Sequence, residues 1–437
     1  MSDFNGKKKP DLKPKVKAQP PQYWEESSFM IAVQKGSGYP LDNIFDRIAS
    51  VRGIKLIEAK LDDDKSSGSV SFSFDGDEFV LRFFYGEFSC PDPSEMFGQH
   101  LSENELGHLR EAEYALTTAM DFHGSAQKCY LVQLKLISAM MPSLAAVLDE
   151  SAEKILSPGF VKMAASSDVP PSPEVLYSVQ AVSDENSDEV WLHTHGLCRC
   201  GIPELEILQS DSASCSGHYD LMKVVAGYML SRDNSEDLSQ PMFVGRLSDG
   251  TPIVVTLLPW EQGIWEYGRL NLGCLRDREE SHNSFSSIIF LYTCEEDEQQ
   301  EKRRKVDIYN SLWDDNPMYY LSNAETERMM AAARERFDYL KKFGLSPEGN
   351  AIVKIGLDAD EKYFGEGNEN REHIWFELKG FEPDGSFRAT LTQEPYYVSD
   401  LHEGDEGVFT VNDVTDWRVY FRGDMINPDN AYLLEQE

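Results

Sequence analysis

The chain of 437 residues lacks the short motifs that identify the common nucleotide-binding and hydrolytic classes. It has no G-x-x-x-x-G-K-[ST] phosphate loop, no G-x-G-x-x-G after a predicted strand, no G-x-S-x-G and no H-E-x-x-H. These patterns position backbone N–H groups around phosphates, a serine on a sharp turn, or two histidines on one helical face. Their absence argues against the usual P-loop, Rossmann, α/β-hydrolase and zinc-protease sites, and leaves unusual sites open.

Long apolar runs and abundant cysteines are also missing. No run of about 18 apolar residues is present, and the first residues lack the apolar centre of a secretory signal. The seven cysteines are sparse and odd in number, which is typical of reduced thiols rather than of a disulfide framework. These absences predict a cytoplasmic protein with no membrane-spanning segment.

Positive charge is scarce and unevenly distributed. The chain has 41 Lys and Arg against 76 Asp and Glu, a net charge of -35. Residues 1–20 carry six lysines and two aspartates, a net of +4, so the rest of the chain carries -39. Such an acidic body repels phosphate backbones and anionic membranes and attracts basic partners. We therefore expect a protein partner, for which the charge favours a basic one, and no binding of nucleic acid or membrane by the body.

The pattern along the chain predicts an α+β fold with four parts. Residues 1–22 read as a disordered basic tail. Residues 23–165 and 166–312 are predicted to form two mixed, sandwich-like α/β lobes, the second opening at the proline-rich segment S-S-D-V-P-P-S-P. Residues 313–437 are strand-rich and are predicted to form a small domain, a partial barrel with one packed helix. No oligomeric state follows from these patterns.

Some local signals in the first lobe are strong and others are ambiguous. Val70, Phe72 and Phe74 alternate with serines before Asp-Gly, which predicts a hairpin with one face in a core. The S-E-N-E run at 102–105 is a capping box and predicts a helix to about residue 120. Residues 127–141 are predicted as a strand that runs into a buried helix, and 144–154 as a helix.

One short run, residues 190–207, concentrates ligand-type side chains: V-W-L-H-T-H-G-L-C-R-C-G-I-P-E-L-E-I. His193 and His195 alternate along a predicted strand, so both side chains lie on one face. Imidazole and thiolate are preferred zinc ligands, and the glycine after the histidines permits a turn that would return Cys198 or Cys200 to them. The run is therefore a candidate zinc site. No other cofactor is expected.

The same run supports two other interpretations. Trp191 shares the histidine face, and C-x-C is tighter than the usual zinc spacing, which favours a buried strand and turn. Alternatively, one cysteine is a reactive thiol whose pKa is lowered by Arg199 and a nearby protonated histidine. Under the enzyme interpretations, Glu204 would act as a base on a bound water. The candidate catalytic residues are then His193, His195, Cys200 and Glu204.

The C-terminal region carries a second set of motifs. The runs V-K-I-G-L-D, E-H-I-W-F-E-L, E-G-D-E-G-V-F and V-T-D-W between about residues 320 and 425 resemble the YegJ-like domain of bacterial proteins. The run W-L-H-T-H-G-L-C-R-C-G-I-P-E-L-E-I-L resembles a second, uncharacterised bacterial domain. The resemblance implies a bacterial, cytosolic protein and supplies no catalytic residue.

The residues of the C-terminal motif have two physical interpretations. His373, Trp375 and Trp417 line a ligand groove in one of them. In the other they belong to a polar network that braces a β core, with the indole N–H of Trp417 bonded to Asp416, Glu372 or Glu377.

Two functional hypotheses follow. The acidic body and the lack of catalytic motifs favour a non-enzymatic protein-binding module, immunity-like or regulatory. The alternative is a metal-dependent or thiol hydrolase built on His193, His195, Cys198 and Cys200.

Overall fold

A computed structural model describes most of the chain. It covers residues 25–38, 41–92, 97–184, 187–231, 240–281, 283–313, 315, 317–347, 349–363 and 370–436. The predicted basic tail, residues 1–22, lies outside the described residues.

The first sheet has eight strands in the order β2-β3-β4-β6-β1-β7-β8-β5. Its strands are β1 (Ser27–Val33), β2 (Lys55–Leu61), β3 (Ser67–Phe74), β4 (Asp77–Glu87), β5 (Phe97–Gly98), β6 (Tyr114–Met120), β7 (Leu144–Asp149) and β8 (Lys154–Leu156). Its helices are α1 (Ile44–Ala49), α2 (Glu103–Arg110), α3 (Ala126–Met140) and α4 (Pro158–Ser166). Because side chains alternate along β1, Phe29 packs on Tyr130 of α3 while Ala32 packs with Leu109 of α2. Helices therefore cover both faces of this sheet.

The predicted hairpin is confirmed as β3 and β4. Val70 pairs with Leu81 and Phe72 with Phe79, whose rings stack at 5.5 Å. All four side chains are buried. Asp75 and the following glycine both have positive φ, as a tight two-residue hairpin turn requires.

The capping box is confirmed, but the helix after it is shorter than predicted. The Ser102 hydroxyl accepts from the N–H of Glu105, whose carboxylate accepts from the N–H of Ser102. The helix ends at Arg110, and residues 114–120 form β6 between β1 and β4. A cap determines where a helix starts and not how far it runs. Pairing with strands on both sides satisfies the β6 backbone instead.

Two further segments differ from the prediction. Residues 127–141 form one continuous helix, α3, and residues 144–154 form β7 and β8 instead of a helix. Nine of the fifteen residues of α3 are buried and none of the others is fully exposed, and all six residues of β7 are buried. An apolar period of 3.6 residues indicates a helix, and a period of 2 indicates a strand. Segments packed on both sides lack the polar positions that reveal either period, so their sequence pattern is ambiguous.

The second sheet has seven strands in the order β15-β12-β13-β14-β11-β10-β9. Its strands are β9 (Ser178–Ser183), β10 (Glu189–His195), β11 (Glu204–Asp211), β12 (Met242–Arg246), β13 (Pro252–Pro259), β14 (Ser286–Tyr292) and β15 (Met318–Tyr319). Its helices are α5 (Cys215–Leu230), α6 (Trp260–Gly263), α7 (Glu295–Gln299) and α8 (Asn310–Trp313). β9 pairs with β10 in antiparallel fashion, and β12 and β13 form a hairpin.

The third sheet has six antiparallel strands in the order β19-β18-β17-β16-β20-β21. It is preceded by α9 (Asn323–Glu335) and α10 (Phe337–Phe343), which divide the predicted single helix at Arg336. Its strands are β16 (Gly349–Asp358), β17 (Arg371–Phe381), β18 (Phe387–Leu391), β19 (Glu406–Phe409), β20 (Val414–Phe421) and β21 (Asp424–Ile426). The chain then turns through 3-10 segments over Pro428–Glu435, where Tyr432 packs edge-on against Phe160 of α4.

The predicted α+β class is confirmed: the three sheets are mostly antiparallel, and in the described ranges none closes into a barrel. One continuous cluster of buried apolar side chains runs through all three sheets. The predicted linker is held in place, since Arg328 of α9 donates to the backbone oxygen of Pro170. Across the described residues, no helix is both long and apolar enough to cross a membrane.

Candidate functional site

The H-T-H residues occupy the end of β10, in the interior of the second sheet. β9 and β11 flank this strand. Because side chains alternate along a strand, Trp191, His193 and His195 project from the same face of the sheet. His193 is 1% exposed and stacks on Trp191 with ring centroids 4.2 Å apart. The His195 ring meets it edge-on at 5.0 Å, and its Nδ1 lies 3.5 Å from a carboxylate oxygen of Glu153. Both imidazoles therefore belong to a packed aromatic row.

The turn after β10 depends on Gly196 and Glu204. Gly196 has a φ of +109°, and a Cβ there would lie 2.5 Å from the backbone oxygen of Leu176. The buried Glu204 carboxylate accepts from the N–H groups of Gly196 and Cys198, both at 2.9 Å, and from the Thr194 hydroxyl at 2.6 Å. Burial raises the pKa of Glu204, although these bonds oppose the shift. Glu204 thus braces the turn.

The two predicted thiols lie in the short 3-10 turn Cys198–Cys200. Cys198 donates to the backbone oxygen of Phe285 and Cys200 to that of Gly196, each with a sulfur–oxygen distance of 3.6 Å. Burial raises the pKa of Cys200 to about 12 and that of Cys198 well above its ordinary value. The thiolate is the nucleophile and the metal ligand, so these environments keep both sulfurs in the unreactive thiol form.

The predicted zinc ligands do not assemble into a metal-holding group. Across the ranges that the structure describes, no three His, Cys, Asp or Glu side chains are arranged to hold a metal ion. The histidines lie beside Trp191, in the small apolar cluster on one face of the second sheet. Cys200 belongs to the main core cluster instead. Trp191, on which His193 stacks, and Cys200 therefore pack in different clusters of buried side chains.

Arg199 has a role that the sequence analysis missed. Its guanidinium pairs in a two-pronged manner with Asp149 at the end of β7, at 2.6 and 2.9 Å. The Tyr130 hydroxyl donates to the same carboxylate at 3.0 Å, and Arg199 also donates to the Ser27 hydroxyl at 3.2 Å. This network joins the first sheet to the second. The only sequence signal was a cation inside the otherwise apolar L-C-R-C-G run.

A second buried pair lies beneath the histidine row. Arg278 binds the Glu206 carboxylate with two bonds of 2.7 and 2.6 Å, and the indole N–H of Trp191 donates to it at 3.1 Å. The Ser286 hydroxyl also donates to this carboxylate. The guanidinium lies 4.1 Å from the ring centre of Trp260. No spacing rule links two residues that are 72 positions apart, so sequence reasoning could not connect them.

The predicted C-terminal groove residues lie on two faces of the third sheet. His373 and Trp375 share the outer face of β17, as alternation predicts. Trp417 is fully buried on the opposite face, beside α9, where its indole N–H donates to the backbone oxygen of Ala333 at 3.0 Å. The predicted carboxylate partners of this indole are therefore wrong, and the three residues do not line one groove.

Trp375 is instead placed between two cations. The Lys354 amine lies 5.6 Å and the Arg418 guanidinium 4.8 Å from its ring centre. Such contacts orient an indole on a sheet surface and contribute about 0.5–1 kcal/mol each when exposed.

A cavity of about 900 Å³ lies between α5, α9, β15 and the segment 168–174. One stripe of each helix lines it, with the i, i+3, i+4, i+7 spacing of a single helical face. The stripe residues are Asp220, Lys223, Val224, Gly227 and Tyr228 of α5, and Ala324, Glu327, Arg328 and Ala331 of α9. The opposite stripe of α5, which includes Leu221, Met222 and Val225, is buried in the main core. Each helix thus has one face for packing and one for the cavity.

The cavity combines acidic and aromatic side chains. Its carboxylates are Asp168, Glu174, Asp220, Glu325 and Glu327, and its aromatic residues are Tyr228, Tyr319 and Tyr320. The two lining cations are already engaged: Lys223 pairs with Glu174 at 2.9 Å, and Arg328 pairs with both Glu325 and Asp429, at 2.8 and 2.7 Å. The lining as a whole therefore carries excess negative charge.

Three family models match the chain. One describes the N-terminal part of a protein of unknown function, DUF4026, and matches residues 28–171; a second describes its C-terminal part and matches residues 179–290. The third, DUF2314, describes an uncharacterised protein conserved in bacteria and matches residues 323–427. The matches show that the chain contains domains of unknown function. No curated protein and no solved structure matches it.

The predicted resemblance to bacterial domains of unknown function is confirmed. The YegJ-like name stays a prediction. The cavity lies where the three matched segments meet. The N-terminal DUF4026 segment contributes Asp168, the C-terminal segment contributes Asp220 and Lys223, and the DUF2314 segment contributes Glu327 and Arg328. Ligand sites are common at such junctions, because adjoining domains enclose a concave surface.

Proposed function

We propose that the protein is a non-enzymatic binding protein that holds a lysine- or arginine-bearing segment of a protein partner in the junction cavity. The observation that supports this is the lining itself: Asp168, Glu174 and Glu325 already pair with cations, and the lining also presents the carboxylates of Asp220 and Glu327. The cavity volume of about 900 Å³ suits a few extended side chains rather than a whole domain.

The exposed part of the lining provides two kinds of contact for such a segment. Asp220 and Glu327 are exposed and lie on facing helices, α5 and α9, so a cation between them would be attracted from both sides. Tyr320 is 49% exposed and adds an aromatic face for a cation or a proline ring. The net charge of -39 outside the tail would speed the approach of a basic partner.

The proposal places the protein in the cytoplasm and gives it an immunity-like or regulatory role. All seven cysteines are free, which is compatible with a reducing compartment. The hydrolase alternative has less support, because both thiols of the C-R-C turn are buried with raised pKa values and Glu204 is occupied by the turn.

The test compares two charge-reversed variants of the full chain. Asp220→Lys/Glu327→Lys changes the cavity, and Glu403→Lys/Asp424→Lys makes the same change in net charge at exposed positions of the third sheet region. The probe is a short labelled peptide of alternating lysine and proline, with a glutamate–proline peptide as the negative control.

We expect the cavity variant to weaken probe binding at least about tenfold, which corresponds to about 1.4 kcal/mol. The control variant should change binding less than about twofold, and binding should weaken as salt is raised. Equal loss in both variants would mean that the general charge of the body attracts the probe, and the cavity would lose its proposed role.

A further inference from the structure

We propose that the N-terminal arm of the same chain, residues 1–24, binds in the junction cavity and competes there with the partner. This inference rests on the proposed function, because it assigns an internal competitor to the same site. The arm carries Lys7, Lys8, Lys9, Lys13, Lys15 and Lys17, which are the basic side chains that the lining would accept. The cavity would then be open to a partner only when the arm is displaced.

The start of the described chain lies within reach of the cavity. Ser27 begins β1, and its backbone oxygen accepts from the Gln133 side chain of α3 at 2.8 Å. The N-terminal end of the same helix borders the cavity, since Ser125 and Gln127 belong to the lining. Six residues of helix separate Gln133 from Gln127, which is about 9 Å along the axis. An extended arm of 24 residues spans at most about 80 Å, so length does not restrict the contact.

The chemistry of the arm matches the lining in two respects. Its six lysines face two aspartates, a net of +4 over residues 1–20, whereas the lining has a formal excess of three carboxylates. The arm also carries Pro10, Pro14, Pro20 and Pro21. Grooves lined by aromatic side chains are a recurrent means of recognising proline-rich segments. Tyr228, Tyr319 and Tyr320 would supply the aromatic surface.

A tether makes a weak contact effective. Because the arm belongs to the same chain as the cavity, its local concentration there would be on the order of 1 mM, so an arm with an intrinsic Kd of about 0.1 mM would occupy the cavity about nine-tenths of the time. A partner binding at the same place would then appear about tenfold weaker than it would without the arm.

Cross-linking of the full chain tests the contact directly. A carbodiimide joins a lysine amine to a carboxylate only when the two touch, and mass spectrometry of a mixture of isotope-labelled and unlabelled chains separates links within a chain from links between chains. We expect links from the arm lysines to Asp220 and Glu327, within one chain. Links spread equally to Glu403 and Asp424, or no links from the arm, would overturn the inference.

A second measurement separates failure of this inference from failure of the proposed function. A variant in which all six arm lysines are changed to glutamine should bind the lysine–proline probe about tenfold more tightly than the natural chain. If both proteins bind the probe equally and no cross-links form, the arm has no role and the cavity keeps its own. If neither protein binds the probe, the proposed function fails, and the cross-links alone decide whether the arm docks.

Discussion

Arg199 and Asp149 form a two-pronged ion pair in which neither side chain has any exposed surface. The pair joins the turn after β10 to the end of β7, and so connects the two DUF4026 segments through the core. Its partners Tyr130 and Ser27 come from α3 and β1. The charged residue in the L-H-T-H-G-L-C-R-C run therefore has a structural role at the contact between two sheets.

Replacing Arg199 alone should strongly destabilise the protein. In Arg199→Met the carboxylate of Asp149 stays buried without its cation, which costs about 3–5 kcal/mol. Urea unfolding followed by circular dichroism would measure the loss. The double variant Arg199→Met/Asp149→Leu should lose less than the single one, because no charge is left unpaired. A single-variant loss under about 1 kcal/mol would contradict the buried pair.

The cysteines of the C-R-C turn should not react in the native protein. Burial raises the pKa of Cys200 to about 12, and Cys198 lies still further from ionising, whereas Cys294 is exposed. Alkylation with iodoacetamide near pH 7, followed by peptide mass spectrometry, should modify Cys294 first and the two turn cysteines only after unfolding. Rapid modification of Cys200 in the folded protein would instead favour the thiol-enzyme hypothesis.

Lys154 should make stability depend on pH in the alkaline range. Burial lowers its pKa from 10.5 to about 8, while its amine donates to the backbone oxygens of Val175 and Tyr177. Because the pKa of Lys154 is lower in the folded than in the unfolded chain, the unfolded chain binds more protons than the folded one at pH values between about 8 and 10.5. The free energy of unfolding should therefore rise as pH increases from about 8 to about 10.5.

The matched variant for this effect is Lys154→Met. Between about pH 8 and pH 10.5, the natural chain should gain up to about 3 kcal/mol of unfolding free energy relative to this variant. Groups that titrate in both proteins cancel in the comparison. A difference that stays constant with pH would show that Lys154 has an ordinary pKa.

Trp417 and Trp375 lie on opposite faces of the third sheet, so replacing each by alanine compares a buried indole with a surface one. Trp417→Ala removes a fully buried indole and its bond to Ala333, so we expect a loss of about 3–5 kcal/mol. Trp375→Ala removes contacts with Lys354 and Arg418 at the surface and should cost about 1 kcal/mol. Chemical unfolding of the two variants checks the contrast. Similar losses would place both indoles in the core.

Much of the local structure could be predicted from periodicity alone. The β3–β4 hairpin and the cap at Ser102 follow from alternation, turn residues and capping chemistry. The predictions failed where burial on two sides erased that signal, as in α3 and β7. Backbone pairing with neighbours distant in sequence then decided between helix and strand.

The amino-acid sequence by itself determined the acidic body, the basic arm, the α+β class and the common face of His193 and His195, because composition and alternation are local properties. Only the tertiary structure decided the rest. It placed Cys200 and the Trp191 that stacks on His193 in different buried clusters, paired Arg199 with Asp149 across 50 positions, and turned one stripe of α5 towards one stripe of α9 to form the cavity. Such arrangements depend on which distant segments exclude water together, and no local pattern encodes that choice.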